Sequence, residues 1–93
     1  MNRQRRKALD DIHTLILEAN QKLEEAKSLL EDVKDEEEEA RDNMPESLQD
    51  SERYQQMDEN VDNLDDAVYT LEEAVDNTDD VLGTLWDIIH PEG

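Results

Sequence analysis

The chain has no cysteine and no phenylalanine, only two glycines, two prolines and three aromatic residues, and nine basic residues against 28 acidic ones, for a net charge of −19 over 93 residues. Each shortage removes a class of protein. Without cysteine there is no disulfide framework, no thiolate metal site and no cysteine nucleophile. No apolar run approaches the roughly 18 residues of a membrane span, and the basic start at Arg3, Arg5, Arg6 and Lys7 is not followed by the apolar stretch of a signal peptide. A cytoplasmic location with no membrane partner is therefore expected. So large an acidic excess repels phosphate backbones, which disfavours direct nucleic-acid binding and favours basic partners. The length allows one small domain, residues 1–93.

Few aromatics and much charge would suit a disordered chain, because little apolar surface is available to offset conformational entropy. The periodicity says otherwise. Leu9, Ile12, Ile16, Ala19, Leu23, Ala26, Leu30 and Val33 step by alternating threes and fours, the a and d positions of a heptad repeat. Tyr54, Met57, Val61, Leu64, Val68, Leu71, Val75, Thr78, Leu82, Leu85 and Ile89 do the same. Between them, Asn43 to Ser51 holds an internal proline and a cluster of capping residues. The spacing predicts a first helix over about residues 3–42, a connection over about 43–50, and a second helix over about 51–90, stopped by Pro91. Ser47 with Asp50, or Ser51 alone, is expected to cap the second helix.

Equal helices and a short connection imply an all-α fold, an antiparallel two-helix coiled-coil hairpin. The register that pairs both seams matches Leu9 with Leu85, Ile12 with Leu82, Ile16 with Thr78, Ala19 with Val75 and Val33 with Val61. Ala8, Leu15 and Leu29, and Ala67, Ala74, Val81 and Ile88, add an apolar g row to each helix. A stripe this wide exceeds what one partner covers, so assembly into a four-helix bundle dimer or a higher homo-oligomer is expected; the alternative is a monomer that binds a target along that edge.

The second helix is also an internal repeat, with an acidic pair at e and f of each heptad: Asp58 and Glu59, Asp65 and Asp66, Glu72 and Glu73, Asp79 and Asp80, joined by Asp62 and Asp76 at b. After Arg53 no Lys or Arg occurs. Like charges at helical spacing cost stability, so a single-sign comb points to a surface for a basic partner, against the plainer alternative of a solubilising face. No metal is expected, because the carboxylates lack the glycine-bent loop of a calcium site. Nor is a cofactor or an enzymatic activity, since no nucleophile, phosphate loop or pocketed acid pair is present. His13, at an e position, is expected on the surface. A second candidate set comprises Arg3, Arg5, Arg6 and Trp86 at the open end and Ser51, Arg53 and Tyr54 at the connection, where cations, aromatic faces and a helix start suit an anion or nucleotide.

The string Asp42-Asn43-Met44-Pro45-Glu46-Ser47-Leu48-Gln49-Asp50-Ser51-Glu52-Arg53, preceded by an acidic helix and followed by Leu-x-x-Ala and Leu-Glu-Glu-Ala steps, resembles small acidic proteins encoded by phages and prophages of Gram-positive bacteria, over residues 40–76. The resemblance brings no catalytic residues. It implies a mobile-element setting in the host bacterial cytoplasm, where anti-CRISPR and anti-restriction DNA mimics are frequent. The expected function is an anti-defence inhibitor whose helix 2 acids bind a basic, nucleic-acid-handling host enzyme. The alternatives are an oligomeric sponge for a nucleotide second messenger, such as a cyclic dinucleotide, and a structural or assembly hairpin.

Overall fold

The computed structural model describes residues Met1 to Glu92. In them two long helices, α1 (Arg3–Asp42) and α2 (Glu52–Ile89), are joined through one 3-10 turn (Glu46–Leu48), and no strand occurs among the described residues. Local chemistry sets each end. Asn2 caps α1, its Oδ1 accepting from the Arg5 N–H at 2.8 Å. At the other end the Asn43 N–H still reaches the Glu39 carbonyl at 2.9 Å, but Met44 precedes Pro45 and is held away from helical geometry. Ser51, not Ser47, caps α2, with its Oγ accepting from the Tyr54 N–H at 3.2 Å. Glu52 in the first turn of α2 favours the positive end of the helix dipole.

The two helices lie side by side as a rod measuring 70 × 19 × 14 Å, with a radius of gyration of 20.5 Å; a compact chain of this length would have about 12 Å. A rod one hairpin thick has little interior. Among the described residues the buried apolar ones are Val61, Val68, Val75 and Ile89, all in the a row of α2. Leu82 completes that row, and Met57, Leu64, Leu71, Thr78 and Leu85 form the half-buried d row beside it. The seam of α2 is thus the one expected.

The seam of α1 is not. Leu9, Ile16, Leu23 and Leu30 are half-buried as expected, but Ile12 is 44% and Val33 50% exposed, and Ala19 and Ala26 are exposed between them. Their place against α2 is taken by the e row: His13, Lys27, Lys34 and Arg41 are half-buried and Asn20 is buried. At about 100° per residue, α1 is turned on its axis by roughly 50° from the expected orientation. The register differs as well, since Thr78 meets Asn20 rather than Ile16, about one helical turn along α1. The cause is charge. The e row of α2 carries Asp58, Asp65, Glu72 and Asp79 along the edge of its apolar seam, and turning α1 brings hydrogen-bond donors and cations against that edge. His13 is accordingly not a free surface residue; its ring lies 6.0 Å from that of Trp86.

Asn20 fixes the register. It is 5% exposed, and its Nδ2 donates to Thr78 Oγ1 at 2.6 Å, Asp79 Oδ1 at 3.0 Å and the Val75 carbonyl at 3.2 Å. The Thr78 hydroxyl in turn donates to the same carbonyl at 2.9 Å. A buried amide of this kind trades stability for uniqueness of pairing. Asn20→Leu is expected to raise stability by roughly 1 kcal/mol, a few degrees in Tm, while admitting a second register. Doubled amide signals for Val75 and Thr78 would report it, and a single set of signals would show that the register is held elsewhere.

Candidate acidic interface

The ten acids of α2 expected to form one binding surface fall into two groups. Those of the e row lean toward α1. Arg41 Nη1 lies 2.8 Å from Asp58 Oδ1, Lys34 Nζ lies 3.4 Å from Asp65 Oδ1, and Asn20 donates to Asp79 as above. Lys27, the next member of the basic row, pairs instead with Glu31 of its own helix at 3.7 Å, and Glu72 keeps an exposed carboxylate. Arg41 is the best anchored of these cations: its side chain is 17% exposed, and its pKa is raised, first by the hydrogen bond to Asp42 and then by the one to Asp58. Because Asp58 itself is 54% exposed, solvent screens the pair and its contribution to stability is small. Its larger effect is orientational.

The remaining acids point away from the hairpin. Glu59, Asp66, Glu73 and Asp80 occupy the f row and Asp62 and Asp76 the b row, all exposed, and successive f carboxylates recur about every 10 Å along the axis. On α1, Asp11, Glu18, Glu25, Asp32 and Glu39 make a second exposed single-sign row at heptad spacing. That row is equally present in the sequence, where Lys22, Lys27 and Lys34 on other rows give the first helix a mixed sign. Near the connection, Glu37 is half-buried at an a position and accepts from Asn60 Nδ2 at 3.1 Å, so the core is polar there.

The second candidate set is divided between the two ends of the rod. At the open end, Arg3, Arg6, Lys7, Asp10, Ile89 and His90 line a cleft of about 350 Å³, and Arg6, His90, Pro91 and Glu92 line another of about 550 Å³. Arg5 is exposed nearby. Lys7 is bound to Asp11, whose hydrogen bond raises its pKa. Trp86 lies on the flank, its ring centroid 4.1 Å from that of His90. At the closed end, Ser51 is occupied as the α2 cap, Tyr54 is half-buried and Arg53 is exposed. A single chain does not bring the two ends together.

No group of three or more metal-ligating side chains is gathered among the described residues, and no helix there is long and apolar enough to cross a membrane. Comparison with protein-family models, with curated proteins and with solved structures finds no match.

Proposed function

We propose that this protein is a phage-type anti-defence inhibitor, a binding protein and not an enzyme, that occupies the basic nucleic-acid channel of a host defence enzyme in the bacterial cytoplasm with its outward acids. The observation that carries the reading is the linear density of charge. Nineteen net negative charges over a 70 Å rod amount to one per about 3.7 Å, close to the about 3.4 Å per charge of one nucleic-acid strand. The carboxylates responsible are held on helices, so a target pays little ordering entropy to meet them. The contact surface comprises Glu59, Asp62, Asp66, Glu73, Asp76 and Asp80, with Asp58, Asp65, Glu72 and Asp79 along its edge. The protein acts as a homo-oligomer, because the apolar row of α1 that α2 leaves open needs cover.

The test is displacement. Titrated against labelled duplex bound to a basic CRISPR or restriction enzyme captured from a host lysate, the protein should compete with the nucleic acid, and its inhibition should weaken more than tenfold between 50 and 300 mM salt. No competition with any captured enzyme would remove the reading. The cleft at the open end supports a second one, a nucleotide sponge, in which Arg3 and Arg6 of the cleft with Arg5 nearby hold phosphates and Trp86 on the flank stacks on a base. A melting-temperature shift with cyclic dinucleotides, lost in Arg5→Glu with Arg6→Glu, would identify it.

A further inference from the structure

We infer that a second copy of this chain docks on one long face of the hairpin, opposite the flank where Arg41 and Lys34 meet Asp58 and Asp65. Those ion pairs place the e rows of both helices on one flank. Helical geometry then puts the d row of α1 and the g row of α2 together on the other. From α1 this face carries Ile12, Ala19, Ala26 and Val33, with Leu15 and Leu29 beside them at 65% and 59% exposure. From α2 it carries Ala67, Ala74, Val81 and Ile88.

The neighbouring row of α2 identifies the occupant. Its five successive c positions are Gln56, Asn63, Thr70, Asn77 and Thr84, all neutral and all exposed, in a chain of which 40% of residues are charged. Asn and Thr are poorer helix formers than Glu or Lys and do less for solubility, so neither need explains the row. A basic partner would be met by acids, and this face withholds them. A second molecule carrying the same −19 charge can approach only where the acids stop. The size fits as well. From Ala8 to Val33 the face runs roughly 40 Å across the 19 Å width of the hairpin, about 750 Å² on each copy, against the about 800 Å² per partner of a standard interface.

The docking stands on this geometry; its consequence rests on the proposed function. Two rods side by side carry twice the charge over the same 70 Å, one net charge per about 1.8 Å, and duplex DNA carries one per about 1.7 Å. The single hairpin has the charge density of one strand and the pair that of a duplex.

Sedimentation equilibrium at 100 μM should give twice the 10.8 kDa of one chain. Ala26→Glu with Ala67→Glu places a carboxylate on each helix's part of the face, at exposed helical positions. It should weaken association 100-fold or more, leaving a helical protein of single-chain mass, with partial recovery in 1 M salt. Gln21→Glu with Ser28→Glu adds the same charge on the far side of α1 and should leave the mass at two chains. A single-chain mass for the unmodified protein, or an unchanged mass for the Ala26 and Ala67 variant, overturns the docking. A two-chain protein that displaces no nucleic acid leaves the docking intact and removes the proposed function instead.

Discussion

Val68→Asp should unfold the hairpin, whereas Val33→Asp should leave its helicity nearly unchanged. Val68 is one of four buried apolar residues among those described and is 9% exposed; Val33 is half in solvent. Replacing Val68 removes a buried side chain worth about 1.5–3 kcal/mol and introduces a carboxylate into a seam already edged by Asp65 and Glu72. A core in which no side chain is completely enclosed has little reserve against such a loss. Circular dichroism at 222 nm, followed through thermal melts, should show Val68→Asp losing more than half its helical signal at 25 °C. Val33→Asp should keep its signal and lose mass in sedimentation, because that position lies on the exposed face proposed for a second copy. Equal damage from the two substitutions would mean that α1 packs in the orientation its apolar spacing alone suggests.

That comparison marks the limit of what hydrophobic spacing reveals. On α2 the seam was legible because the e row on one side of its a and d rows is acidic and the g row on the other begins with Asn60, Ala67 and Ala74. On α1 the rows a, d and g are all apolar in part, so spacing identifies a wide stripe without saying which side of it meets α2. The deciding signal lies in the polar residues. His13, Asn20, Lys27, Lys34 and Arg41 recur every heptad, matching in antiparallel order Trp86, Asp79, Glu72, Asp65 and Asp58. Counting donors against acids across the two helices, as one counts apolar pairs, selects the observed rotation and displaces Ile12, Ala19, Ala26 and Val33 to the outside. The helix caps, by contrast, depend on neighbours within three residues, and Ser51 was readable among them for that reason. The same distinction divides the candidate site. The ten candidate acids of α2 were visible in sequence, but which of them face solvent depends on the orientation of α1.

Neutralising the outward acids is therefore expected to have a very different effect from neutralising the inward-leaning ones. Glu59→Gln, Asp62→Asn, Asp66→Asn, Glu73→Gln, Asp76→Asn and Asp80→Asn together remove six charges from the b and f rows, none of which pairs with Arg41, Lys34 or Asn20. Like-charge repulsion along α2 falls, so Tm should hold or rise. Competition with nucleic acid for a basic enzyme should fall 100-fold or more, and what remains should lose most of its salt dependence, because both the steering field and the contacts with target Lys and Arg are gone. Asp58→Asn, Asp65→Asn and Asp79→Asn remove half as many charges but take the acid partners from Arg41 and Lys34 and weaken one of the three acceptors of Asn20. This triple variant should melt at a slightly lower temperature and compete only a few-fold less well. Inhibition measured for both variants across one salt series separates the two roles. If the six-fold variant competes as strongly as the unmodified protein, the outward comb serves only solubility; if the e-row variant is the one that loses competition, the binding surface lies along the flank where the two helices share their charges.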